Sequence, residues 1–185
     1  MTEIPYPAHP TNYRVGRRSK IDRIVIHVTN GPSGAPWVWF GMDHGAQIPP
    51  AAPTSAHVSV DPGGLVYRSV PDQDTAFHAG AYNDRSLGVE IVGWNGYDFP
   101  DVQLDRTAEL VAEWATRYGL PADRVHIVGH NEVPGEENED PGADFNWSDF
   151  MTRIQHHMNR GVDASTVVIF GFVVALVGAA FMIRG

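Results

Sequence analysis

The chain has 185 residues, 43 % hydrophobic and 19 % charged, which is enough apolar material for one core and excludes wholesale disorder. A formal net charge of −9 argues against a nucleic-acid partner, because neutralising phosphates requires a basic face. Cysteine is absent, so neither a disulfide framework nor a thiolate metal cluster is available, and any metal must be held by histidine and carboxylate.

Residues 1–20 read as an irregular arm with a basic cluster at Arg14, Arg17, Arg18 and Lys20. Met1–Pro10 is polar and proline-rich, without the apolar stretch of a secretory signal. Ile21–Val28 is a β-branched run closed by Thr29-Asn30-Gly31-Pro32, the pattern of a short buried strand. The Gly-, Pro- and Trp-rich stretch that follows predicts loop with one short helix around Trp37–Met42. Ser55–Val60 and Leu65–Val70 flank the turn former Asp61-Pro62-Gly63-Gly64 and predict a hairpin. Leu87–Val92 is a further strand, with Glu90 inside an otherwise apolar run.

From Thr107 to Tyr118 the residues Val111, Trp114, Ala115 and Tyr118 fall on one helix face, with Gly119 as C-cap. Val125–Val128 is a short strand leading to Gly129-His130, and Asn131–Asn146 is an acidic loop. A last amphipathic helix is expected over Ser148–Asn159. Strands mixed with helices in this order predict an α/β domain, a single central mixed β-sheet flanked by helices. The organisation expected is an arm (1–20), a catalytic domain (21–160), and a linker with terminal helix (161–185).

That terminal helix is expected from residues 164–183, which carry no charge. Twenty helical residues rise about 30 Å, the thickness of a bilayer core. The expectation is therefore a C-terminal transmembrane helix in a lipid bilayer. Gly171 and Gly178, seven apart, would allow helix-mediated self-association. Arg153 and Arg160 before the segment and Arg184 after it leave its orientation open.

Two imidazoles and a carboxylate stand where they could hold a catalytic metal: His27 and His130 at strand ends, and Asp140 ten residues after His130. Each also has an ordinary reading, the histidines as structural strand-end residues and Asp140 as a turn former before Pro141-Gly142. Glu90 has two readings as well. On a central strand it is buried and suited to general-base work; on an edge strand it faces water.

The ordered series Ile24-Val25-Ile26-His27, Ser55-Ala56-His57, Gly63-Gly64-Leu65-Val66-Tyr67, Phe77-His78-Ala79-Gly80, Asn83, Ser86-Leu87-Gly88-Val89-Glu90-Ile91-Val92-Gly93, Gly129-His130 and Asp140-Pro141-Gly142 closely resembles the type 2 N-acetylmuramoyl-L-alanine amidases. That family includes phage lysins, muropeptide-recycling amidases and peptidoglycan-recognition proteins. The resemblance implies zinc (Zn2+) held by His27, His130 and Asp140, with Glu90 as general base. It implies that His78 lines the substrate cleft, that His57 supports the site and that Asn83 orders the loop before the Glu90 strand. In many active members a lysine two residues before the Asp ligand stabilises the oxyanion; here Asn138 stands there, able to donate a hydrogen bond but without charge. Peptidoglycan is the implied partner and amide hydrolysis the implied reaction, in a phage or virion-associated lysin anchored in the host-cell or virion membrane. The alternative from the same family is a recognition module without catalysis, against which the complete ligand set argues.

Overall fold

The structure is a computed structural model that describes residues 3–160. Six strands form one mixed sheet in the order β1-β5-β4-β7-β3-β8. They are β1 (Glu3–Pro5), β3 (Arg23–Val28), β4 (Val58–Val60), β5 (Val66–Arg68), β7 (Ser86–Ile91) and β8 (Ile127–Gly129). The β-branched run of β3 takes an interior position, with β7 and β8 parallel on either side. β4 continues parallel beside β7 and turns back through an antiparallel hairpin into β5. Asp61 builds that hairpin turn, its Oδ1 accepting the backbone N–H groups of Gly63 and Leu65.

Side chains alternate between the two faces of a sheet, and here the two faces differ in chemistry. Ile24, Ile26 and Val28 of β3, Leu87, Val89 and Ile91 of β7, and Val58 and Val60 of β4 all enter one apolar core. After the short α1 (Ala35–Phe40), two helices cover that face, α2 (Asp101–Tyr118) and α3 (residues 147–160). α2 contributes Leu110, Val111, Trp114 and Ala115, and α3 contributes Phe150 and Ile154. Removing a side chain of this size from water is worth about 1.5–3 kcal/mol, so this face holds the domain together. The opposite face carries His27, Ser59, Ser86, Gly88 and Glu90, with Val25 and Val128 packed on Ala79 and Val133.

Several elements differ from expectation in extent. α2 begins at Asp101, six residues before the apolar periodicity does. Its first turns are anchored by polar groups: the Gln103 amide donates to the carbonyls of Val60 and Val92 at 2.9 and 2.8 Å. Gly119 closes the helix in the left-handed conformation, φ +66, where a glycine carries no Cβ strain. The arm is more regular than its composition suggests. β1 lies parallel to β5 at the sheet edge, and Glu3 pairs with Arg68 at 2.6 Å. β2 (Tyr13–Arg14) pairs antiparallel with β6 (Thr75–Ala76) in a small second sheet.

The expected membrane helix is corrected. Among the described residues no helix is long and apolar enough to cross a membrane, and residues 164–183 lie outside them. α2 spans 18 residues but is amphipathic, with Asp105, Arg106, Glu109, Glu113 and Arg117 lying off its buried face. Over the described residues the fold class is a mixed α/β domain in which no helix spans a membrane. The expected localisation, anchored in a host-cell or virion membrane, is withdrawn with it, as are the lipid-bilayer contact and helix-mediated self-association.

Ile154 seals the α3 side of the core and is fully buried. Ile154→Ala should destabilise the domain by about 2–5 kcal/mol, measured by denaturant unfolding.

Candidate active site

The parallel register of β3 and β7 sets His27 beside Glu90, and that of β4 and β7 sets Ser59 on the other flank of Glu90. The glutamate is therefore on an interior strand, and the edge-strand reading is ruled out. β8 ends at Gly129, so His130 follows directly from the strand next to β3. The long loop after His130 then folds back to bring Asp140 to both imidazoles. Asp140 Oδ1 lies 3.0 Å from His130 Nδ1, and Oδ2 lies 3.3 Å from His27 Nδ1. The loop is pinned from two sides: Asn131 N–H donates to the Asp140 carbonyl, and Val28 N–H donates to Asp140 Oδ2.

His27, His130 and Asp140 each offer a donor atom, all within 4.8 Å of one another. Burial alone would push Asp140 up, but hydrogen bonds from His130 and His27 hold its carboxyl well below the usual carboxylate range. Burial, helped by the His130 ring, pushes His27 down and keeps its imidazole neutral. One ionised carboxylate and a neutral imidazole are what a divalent cation needs from its ligands. The residues present therefore fit a divalent metal with nitrogen and oxygen preference.

Glu90 is pushed up to about 8, first by burial and then by the charge of Asp140. A carboxyl raised this far is a proton carrier for the neutral range. Asn138 sits at the rim, its Nδ2 3.3 Å from His130 Nε2 and 3.2 Å from Glu136 Oε2.

His78 is buried, with Nδ1 3.0 Å from His27 Nε2 and Nε2 3.1 Å from Ser86 Oγ. Asn83 orders the preceding loop, its Oδ1 accepting the N–H groups of His78 and Ala79 at 2.8 and 2.7 Å. His57 is fully buried and accepts the Gly88 N–H on Nδ1 at 2.9 Å, while Arg17 of the arm reaches its Nε2 side. Sequence reasoning missed Ser86, Ser59 and Glu136. The signal for Ser86 was present: it alternates with Gly88 and Glu90 along β7 and so shares their face.

The family model for N-acetylmuramoyl-L-alanine amidase matches residues 17–143, which takes in β3, β7, β8 and His27, His130 and Asp140. The chain belongs to that family. The amidase is 29 % identical over 167 residues to the 1,6-anhydro-N-acetylmuramyl-L-alanine amidase AmpD of Enterobacter cloacae, covering 80 % of this chain and 86 % of the relative. A selenomethionine derivative of AmpD superposes with a TM-score of 0.68 at 26 % identity, covering 82 % of this chain and 94 % of that one. The endolysin amidase LysCS of Clostridium intestinale URNW shares the fold, with a TM-score of 0.66 at 17 % identity over 83 % of this chain and 95 % of that one. The amidase is thus an enzyme that hydrolyses the peptidoglycan amide between N-acetylmuramic acid and L-alanine.

The raised Glu90 carboxyl makes a pH prediction for the metal-free amidase. Between its ordinary value of 4.5 and about 8, the unfolded chain has released this proton while the folded chain retains it. Stability contributed by Glu90 is therefore full below 4.5 and declines as pH rises toward 8. In the presence of chelator, the wild-type melting temperature should carry a falling component across this window that Glu90→Gln removes, as calorimetry would measure.

Proposed function

We propose that the amidase is zinc-dependent and that His27, His130 and Asp140 hold the metal, with Glu90 as general base. The observation that carries this reading is the convergence of one donor atom from each ligand within 4.8 Å, on the sheet face where Glu90 stands beside His27. When bound, zinc supplies a Lewis acid that acidifies water and polarises a carbonyl. Glu90 takes the proton of the attacking water and returns it to the leaving L-alanine nitrogen. A cation held at Asp140 would offset the carboxylate charge that, after burial, raises Glu90. Asn138 donates an amide N–H toward the developing oxyanion in place of a charged lysine. Losing one such donor typically costs about 3–4 kcal/mol of barrier.

We propose further that the amidase acts as a phage cell-wall lysin on intact peptidoglycan. Its likeness in fold to the endolysin LysCS supports this role. The sequence relatives are instead named for a 1,6-anhydro-N-acetylmuramyl substrate, so the two substrates separate the possibilities.

On purified peptidoglycan, new L-alanine amino termini followed by mass spectrometry should disappear with chelator and return with zinc. Glu90→Gln should bind zinc as the wild type does and lose at least about 100-fold in turnover, the lower range of general-base contributions; full turnover in this variant would remove Glu90 from the mechanism. For the lysin role, intact peptidoglycan should be cut at a rate comparable to or above that of a soluble 1,6-anhydromuramyl peptide. A strong preference for the soluble peptide would assign the amidase to recycling.

A further inference from the structure

A 3-10 turn over Gly80–Arg85 leads directly into β7, the strand of Glu90. The carbonyls that end such a turn have no partner within it and carry partial negative charge. Arg17 supplies the partner from the arm. Its Nη1 donates most closely to the Ser86 carbonyl at 2.9 Å and reaches those of Asp84 and Asn83 at 3.3 and 3.4 Å. Its Nε donates to the Asp72 carbonyl at 2.6 Å, and Nη2 touches the His57 ring at Nε2. A planar guanidinium serves several acceptors from one position, which an ammonium on a flexible stem does not. The backbone beside Arg17 is pinned as well: the Gly16 N–H donates to Asp74 Oδ1 at 2.8 Å, and β2 pairs with β6.

Two of the residues whose carbonyls Arg17 holds are also the ones whose side chains hold His78. Asn83 Oδ1 accepts the His78 and Ala79 N–H groups, and Ser86 Oγ lies 3.1 Å from His78 Nε2. The His78 ring stands 3.0 Å from His27 on one side. On another it lies against Gly88, where a Cβ would come within 2.5, 2.7 and 2.8 Å of ring atoms; a glycine in a strand commonly marks such a close approach. Ser86 also shares its face of β7 with Glu90. We infer that Arg17 is a positioning residue for the hydrolysis. From the arm it fixes residues 83–86, which seat His78 against His27 and set the start of the Glu90 strand, and it touches no reacting atom itself. Placement matters at this range, because an error of about 1 Å at a catalytic group can cost roughly 100-fold in rate.

The inference rests on the proposed function in taking His27 and Glu90 as working residues of the site, and its test keeps the two apart. In the metal-free full chain, amide exchange followed by NMR should show the His78 and Ala79 N–H groups exchanging at least about tenfold faster in Arg17→Ala than in wild type, while Ile26 and Val89 in the sheet keep their protection. With zinc supplied, Arg17→Ala should cleave a soluble muramyl peptide with kcat lowered about 10- to 100-fold and KM within about twofold of wild type. A residue that served stability alone would lower the folded fraction and leave the kcat of folded enzyme unchanged. Should Arg17→Ala fail to fold, Arg17→Lys takes its place with the same readouts, since it keeps the charge and loses the fork that spans the carbonyls. Wild-type kcat in the folded variant, a kcat loss without faster exchange at His78 and Ala79, or exchange raised equally at Ile26 and Val89 overturns the inference. Wild-type hydrolysis that survives chelator overturns the metal reading alone, and the Arg17 comparison is then decided on the zinc-free rates.

Discussion

The site depends on Asp140 being held between two imidazoles. A carboxylate taken out of water must be paired or hydrogen-bonded, or it neutralises. Here His27 and His130 supply that pairing at 3.3 and 3.0 Å, and the Val28 N–H adds a further donor. His27 lies far from the other two in the chain, and the three stand at a strand end, after another strand and in a long loop. Their meeting requires β3 and β8 to be neighbours and the loop after His130 to return over them. Each of those features is present: β8 pairs with β3 in parallel, and Asn131 ties back to the Asp140 carbonyl.

The sheet separates stability from chemistry by its two-residue period. One face is almost wholly aliphatic and aromatic, packed under α2 and α3; the other holds imidazoles, hydroxyls and Glu90. Apolar burial on the first face offsets the cost of assembling polar groups on the second. This is why a carboxyl raised to about 8 can persist in a folded domain. Burial that destabilises the charged form of Glu90 is the same burial that suits it to proton transfer.

The polar face is also organised in depth. His27 stands between Asp140 on one side and His78 on the other, and Ser86 lies beyond His78. Beneath them His57 accepts the Gly88 N–H, with Arg17 of the arm on its far side. The arm is thereby connected to the site through a guanidinium, and at the sheet edge through the Glu3–Arg68 pair. Residues distant from any reacting atom set the orientation of those that would touch it.

Much was legible in the linear chain. The β-branched run around His27, the turn at Asp61-Pro62-Gly63-Gly64 and the apolar face ending at Gly119 are local signals, governed by side-chain sterics and turn chemistry, and each appears as an element here. The candidate ligands were legible as residue types and as a resemblance, though a strand-end histidine or an Asp before Pro carries two readings by itself. Three things waited on tertiary structure. The first turns of α2 are anchored by the Gln103 amide to strand carbonyls, a contact with no apolar period to announce it. Glu90 became interior because β3 and β4 flank its strand, and strand order is a long-range property. The surroundings of His78 were decided by a gap at Gly88 and a hydroxyl at Ser86, because what a buried ring meets depends on what lies across from it in space.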